Sequence, residues 1–398
     1  MSFAAEFHSA TASVTGARTD GSRLAARLVR SREAFEAIAP EWAVLEAGSP
    51  HAVLFQSVGW CRAVFDFSGR RDTGFDPFIV TLRRDGELKG VLPLERVRAQ
   101  GCTLLVALGD GFQQYSDVLL APDVDPAEAV REMLAAAVRE AHCDVVSLLK
   151  VREDSALRHG LPPRHVRTGA SAGAPFVALS SFKDFAEYHA TVKAKTRKNM
   201  RNARNRLERS GPVEHTVAAN RIETMGVIGR TVLGRAQRLE DQGLTSRAFQ
   251  DQNFLDFCLS LVDSDLELLA MSLTHNGTPI AEQWGFVHGG RYYAFVASRD
   301  FTMGEESPGK LHLKNVIETG FTRGLSTVDL LVPVMPYKLT WASGVTEVQD
   351  YAVPVSLKGR ARVHLWDQML RPLVKAAYLA LPQGVRTRLM AALRPGRD

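Results

Sequence analysis

Two carboxylates, a phenol and a lysine stand out in the second half of this sequence because each sits where its chemistry is unusual. Val328-Asp329-Leu330-Leu331-Val332 puts one charged group into a run that otherwise reads as a buried strand. A carboxylate in that setting needs a partner or a task, such as taking a proton. Pro336-Tyr337-Lys338 and Trp341 follow at once, so a phenol, an ammonium group and an indole gather at the carboxyl end of that strand. Ligand sites in α/β sheets favour such strand ends. The plainer reading is that Asp329 caps a loop while Tyr337 and Trp341 pack in the core. Glu282 is the second acidic candidate. In Ile280-Ala281-Glu282-Gln283-Trp284-Gly285-Phe286, a period of two sends Ile280, Glu282 and Trp284 to one face and Ala281, Gln283 and Gly285 to the other. Either Glu282 or Gln283 then points where water is scarce or a ligand sits, unless Glu282 is exposed on an edge.

Anion binding is the second chemistry. Ser307-Pro308-Gly309-Lys310 stands between a strand and a helix, and such a start leaves free backbone N–H groups that attract phosphate, although it also suits a plain turn. Residues 193–209 hold eight Lys and Arg against one acid, Glu208. On a helical wheel Thr196, Met200, Ala203 and Leu207 form a narrow stripe, and basic side chains fill most of the remaining circumference. A second basic block closes the chain, with nine Lys and Arg over 358–398 against Asp367 and Asp398. Each block nets +7 and the whole chain only +5, so the rest carries −9 and the basicity is localised. That points to an anionic partner. The basic helix has no interleaved aromatics and no RNA-binding signature, so no sequence-specific nucleic-acid partner is expected.

Several classes are excluded. The sequence has no HExxH, Walker loop or Gly-rich dinucleotide fingerprint. Cys61, Cys102, Cys143 and Cys258 are far apart, with no metal-ligand spacing; they read as reduced core thiols, and no metal is expected. Residues 1–22 read as a disordered leader without the apolar run of a signal peptide, and no stretch approaches the roughly 18 apolar residues of a span. The expected location is cytoplasmic.

The elements that position these residues follow from periodicity. Helices fit 32–47 and 58–67, then a hairpin over 78–82 and 89–94 turns on Asp85-Gly86, the dipeptide a type I′ turn prefers. Strands at 103–108 and 117–120, a helix at 126–141 and a strand at 145–149 follow. The order then recurs: helices over 182–191, 193–209, 222–239 and 249–262, a hairpin over 266–274 and 279–287 turning on Asn276-Gly277, a strand at 292–298, a helix at 310–323, and strands at 327–332 and 348–355. Gly86 and Gly277 are 191 positions apart, and the pattern reads as a tandem duplication of one α/β (α+β) unit. The expected division is a first domain over 23–170, a second over 171–357, and a tail over 358–398 in short helical pieces cut by Pro372 and Pro382. In that tail Leu365, Trp366, Met369, Leu370, Leu373 and Val374 alternate with basic residues. It either lies in the interface of an anionic membrane or straps across the second domain.

Taken together these segments resemble the GNAT-type acyltransferases of the CelD/BioF-like group, associated with cellulose and exopolysaccharide biosynthesis. The resemblance rests on Lys195-Thr196-Arg197-Lys198-Asn199-Met200-Arg201 with Arg204 and Leu207, on Ser307-Pro308-Gly309, on Asp329-Leu330, on Tyr337-Lys338 with Trp341, and on Gly109-Asp110-Gly111 and Tyr115-Ser116-Asp117 in the first half. Where many relatives carry Gly after the Asp strand, this chain has Val332-Pro333-Val334. The resemblance implies tandem GNAT domains, each a twisted mixed sheet flanked by helices, with the active site in the second. It implies acetyl-CoA or another acyl-CoA as a co-substrate rather than a tightly bound cofactor, held by Ser307, Gly309, Lys310 and Leu311. Glu282 or Asp329 would take the acceptor's proton and Tyr337 would protonate the thiolate. Lys338, Trp341, Arg197 and Arg201 would contact a glycan-type acceptor. The alternatives are a Fem-like transferase using aminoacyl-tRNA, and a non-catalytic scaffold of a polysaccharide synthase.

Overall fold

The structure, a computed structural model, describes residues 24–49, 52–71, 74–244, 246–303 and 307–392; the expected leader over 1–22 lies outside the described residues. The chain divides into two compact units. One takes residues up to Ser171 and again Glu347–Ala376; the other takes Ala172–Thr346 and resumes at Ala377. The last long strand and the start of the tail, which the sequence assigns to the second domain and to a separate tail, therefore pack with the first unit.

In the first unit the strands are β1 (Ala25–Val29), β2 (Ile79–Arg84), β3 (Glu87–Leu92), β4 (Leu94–Ala99), β5 (Cys102–Ala107), β6 (Leu119–Leu120) and β7 (Val145–Arg152). They form an antiparallel sheet ordered β1-β2-β3-β6 and a second group in which β5 pairs antiparallel with β4 and parallel with β7. The β2–β3 turn has Asp85 at φ 52° and Gly86 at φ 84°, as a type I′ turn demands. The helix Pro126–Ala141 makes the crossover between β5 and its parallel partner β7, starting where Asp125 caps Glu128 N and Pro126 supplies the first-turn φ. Phe35, Trp42, Phe55 and Trp60 are fully buried at the centre of this unit. All four cysteines of the chain are buried free thiols.

The chain enters the second unit along β8 (Val166–Ala178), which the sequence reading missed, and continues with β9 (Val213–Val217), β10 (Glu267–His275), β11 (Thr278–His288), β12 (Arg291–Arg299) and β13 (Thr327–Asp329) before leaving along β14 (Gly344–Pro354). The strand order is β8-β13-β12-β11-β10-β9, and β12 and β13 alone among these neighbours run parallel. The helix Pro308–Thr322 makes the β12–β13 crossover, repeating the arrangement of the first unit. Glu282 on β11 reaches the helix Arg221–Asp241, whereas its neighbour Ala281 packs in the core that holds Leu311, Val316 and Ile317, so the two long helices cover opposite faces of the sheet. The basic helix, Ala194–Glu208, lies on the face of the crossover helix and buries Met200, Ala203 and Leu207, the stripe its wheel defines.

Three expected elements differ. The strand over 327–332 stops at Asp329: Leu330 N still donates to Pro175 O on β8, but Leu331 takes φ 56° and leaves the extended course. The helix over 249–262 is broken into Arg247–Gln250, Phe254–Ser260 and a 3₁₀ turn, with Asp251 accepting from Asn253 N at the break. Pro372 does not cut the tail: Leu357–Ala361 runs through a π-helical stretch, Arg362–Leu370, into the helix Arg371–Ala380, and the interruption comes only at Pro382. No helix among the described residues is long and apolar enough to cross a membrane.

Candidate active site

The site begins where two parallel strands part. β12 and β13 pair only through Arg291–Thr327, Tyr292–Val328 and Tyr293–Asp329; β13 then ends while β12 runs on to Arg299. From Ala294 onward β12 has no partner strand on the β13 side among the described residues. A bulge between Trp284 and Phe286 turns β12 at this level, and it requires glycine: a Cβ on Gly285 would lie 1.8 Å from the Tyr293 carbonyl oxygen.

Across the opening stands the amino end of the Pro308–Thr322 helix. Ser307 takes φ 48°, and Pro308 follows in the first turn. The residues that complete an anion site here come from elsewhere. Arg299 ends β12, and its side chain runs over Gly309 so closely that a Cβ there would sit 2.8 Å from Arg299 Cδ. The guanidinium of Arg238 stacks on the Phe301 ring at 3.7 Å and that of Arg299 at 4.2 Å. Burial and the nearby positive charges of Arg299 and Arg235 lower the Arg238 pKa. Gly234 lets this helix come close to β12, since a Cβ there would lie 2.5 Å from Ser298 Oγ. Three like charges gathered beside a helix amino end, with no carboxylate hydrogen-bonded to them among the described residues, form a place for a polyanion. Sequence reading missed Arg235, Arg238 and Arg299; the one available signal was the three-residue spacing of Arg235 and Arg238 on a helix.

The predicted residues fare differently. Tyr337 joins the cluster: burial raises its phenol pKa, while Arg235 and Arg299 are near enough to pull it down. Lys338 points the other way. Its Nζ donates to the carbonyls of Leu330 at 2.7 Å, Leu331 at 2.9 Å and Pro333 at 3.0 Å, and burial, aided by Arg235, lowers its pKa to about 8. All three ammonium hydrogens are spent holding the loop after β13, not waiting for an acceptor. Asp329 caps the same loop through Leu331 N at 2.9 Å and faces Arg291 at 3.4 Å. Trp341 lies 2% exposed in the core, its carbonyl accepting from Tyr188 Oη. Glu282, also buried, receives both arms of Arg230 at 2.7 and 2.8 Å and the Ser272 hydroxyl at 2.7 Å.

Arg197 and Arg201 line a separate cavity of about 180 Å3 between the basic helix and the crossover helix, shared with Arg204, Lys314 and Asn315. Arg197 is committed to the end of the preceding helix, where its Nη1 donates to the carbonyls of Ala190 and Val192. Arg201 is exposed.

Comparisons with known proteins take in this region. A FemX crystal structure matches at 12% identity with a TM-score of 0.57, over 83% of this chain and 98% of that one. A conserved protein of unknown function from Bacteroides thetaiotaomicron matches at 14% identity and TM-score 0.49, over 80% and 97%. A tandem GNAT protein from the clavulanic acid biosynthesis pathway gives 13%, 0.45, 84% and 99%. At such identities these likenesses concern the fold. No curated protein matches the sequence. The model of the acetyltransferase (GNAT) domain family matches residues 194–339, which contain the basic helix, the parting strands and the arginine cluster. The chain thus carries a GNAT acetyltransferase domain over those residues, in a mixed α/β fold, and is an enzyme of that acyltransferase type.

Proposed function

We propose that the protein transfers an acyl group, most simply acetyl, from acyl-CoA to an amine or hydroxyl of a glycan precursor. The observation that carries this reading is the parting of β12 from β13 beside a helix amino end ringed by Arg235, Arg238 and Arg299. A CoA pyrophosphate suits the helix end and the guanidinium groups, and the open β12 edge suits the thioester and its developing oxyanion. The acceptor's nitrogen or oxygen attacks the thioester carbonyl, the C–S bond breaks, and the thiolate takes a proton from Tyr337, a phenol protonated at neutral pH. Glu282 takes the acceptor's proton. The Arg230 side chain that covers it is 54% exposed and can swing to water, freeing a carboxylate oxygen. Asp329 and Lys338 shape the loop that carries Tyr337. The glycan acceptor follows from the resemblance to polysaccharide-associated acyltransferases.

The experiment is a thermal-shift series with acetyl-CoA, longer acyl-CoAs and CoA, since a ligand that binds only the folded chain raises its melting point. Acetyl-CoA is expected to raise it in the wild type and much less in Arg299→Ala; equal shifts in both sink the placement. One observation favours a second reading, an aminoacyl-tRNA donor: Lys195, Lys198, Arg201 and Arg209 lie exposed along the basic helix. Stabilisation by bulk tRNA that collapses steeply with added salt, together with none from acyl-CoA, would select it, because many phosphate contacts release counterions together.

A further inference from the structure

The tail's apolar residues stay uncovered after folding. Leu365, Met369, Leu370, Leu373 and Val374 are 57%, 58%, 49%, 65% and 57% exposed. They recur at spacings of four along Arg362–Leu370 and Arg371–Ala380, as 365, 369 and 373 and as 366, 370 and 374, and so form one stripe with the half-buried Trp366 at its edge. A continuous exposed stripe of this size marks a contact surface, whereas most other exposed apolar side chains of the chain are scattered.

The stripe is held rigidly at its root. Ser356 caps Leu357–Ala361 and bonds Asp144. Gly359 sits so close to that residue that a Cβ would lie 1.9 Å from the Asp144 carbonyl oxygen. Val363 is fully buried among Cys102, Leu104, Val106, Val145 and Ala352. Arg362 donates to Ala99 O and Gln100 Oε1. These contacts fix the helix with its apolar stripe outward.

Charge selects what covers it. Residues 357–376 carry Lys358, Arg360, Arg362, Arg371 and Lys375 against Asp367, a net +4. Asp367 is only 14% exposed and faces Arg362 at 3.9 Å, so the solvent side of the segment is basic. A second copy of the chain would bring two such segments together against their repulsion. Nucleic acid would match the charge but leave the apolar stripe wet. A bilayer surface with anionic headgroups satisfies both, apolar side chains entering the acyl boundary while Arg371 and Lys375 meet phosphate. We infer that Leu357–Ala376 docks the protein on anionic membrane, with Leu365, Met369, Leu370, Leu373 and Val374 as the inserted face.

The test is co-sedimentation of the full chain with vesicles of phosphatidylcholine alone and of phosphatidylcholine with one quarter phosphatidylglycerol. Wild type is expected to pellet with the mixed vesicles and to stay in solution with the neutral ones. Each basic residue at such a surface is worth about fivefold in affinity, so Arg371→Ala with Lys375→Ala should lose roughly thirtyfold. Met369→Asp with Leu373→Asp, whose sites touch no core, should abolish pelleting with an unchanged melting curve. Pelleting that ignores the lipid charge, or survives the two aspartates, overturns the inference. So does a wild-type dimer, seen by light scattering, that the aspartates convert to monomer, because the stripe would then belong to a second copy.

Discussion

A methyl group on Gly309 tests the donor site without removing any charge. Gly309 lies in the first turn of the Pro308–Thr322 helix at an ordinary φ, so alanine there favours the helix by about 0.5–1 kcal/mol and should not harm folding. Its Cβ would stand 2.8 Å from Arg299 Cδ, while Arg299 Cβ and Cγ remain at 3.8 Å. The backbone can stay, and the outer arm of Arg299 must turn away from the helix end. A guanidinium–phosphate contact contributes about 1.5–3 kcal/mol, so Gly309→Ala should weaken acetyl-CoA binding roughly ten- to hundredfold. Arg299→Ala should do the same. If both act by removing one contact, the double variant is no weaker than the worse single, and the coupling energy equals the smaller single effect. Isothermal titration with acetyl-CoA on all four proteins, each with its melting temperature, decides the matter. Unchanged affinity in Gly309→Ala, or losses that add in the double variant, would refute the reasoning.

Two further outcomes follow from buried groups. Lys338→Met leaves the carbonyls of Leu330, Leu331 and Pro333 without their donor and should cost roughly 2–3 kcal/mol in urea unfolding, with turnover falling more than acetyl-CoA affinity because the loop bearing Tyr337 loosens; wild-type stability would remove Lys338 from that role. His312 is 2% exposed, neither ring nitrogen has a hydrogen-bond partner among the described residues, and burial, with His215 adding to it, lowers its pKa from 6.5 to about 3. The unfolded chain takes up a proton below pH 6.5 that the native chain refuses, so stability falls with falling pH, by about 2 kcal/mol from this group between pH 6.5 and 5. His312→Leu should remove that part of the slope and leave stability at pH 8 nearly unchanged; an unaltered slope would mean that the ring finds a proton partner.

Local chemistry was legible in the sequence. The turns at Asp85-Gly86 and Asn276-Gly277 are found with all four residues at positive φ, because that conformation is chosen by the residues themselves. The helix Pro126–Ala141 has the predicted bounds, since Asp125, Pro126 and its apolar spacing all act within the helix. The stripe of Met200, Ala203 and Leu207 is buried for the same reason. The recurrence of helices, hairpin, strand, helix and strand in both halves could likewise be read from the order of the elements, whereas the parallel pairing of the last two strands could not.

What bears on the site was decided at long range. Glu282 is 52 positions from Arg230 and Asp329 is 38 from Arg291, and nothing near either carboxylate announces its partner. Arg299 at the end of β12 comes against Gly309 at the helix start ten positions on, and Arg238 joins it over the Phe301 ring only because Gly234 lets another helix approach β12. Lys338 and Trp341 follow Asp329 closely in sequence, yet the turn that begins at Leu330 sends one into loop carbonyls and the other into the core. Residue types and spacing set each element and its buried face through contacts a few positions apart. Which charges meet, and which are left for a ligand, depends on pairings between distant segments that exist only once the sheet has formed.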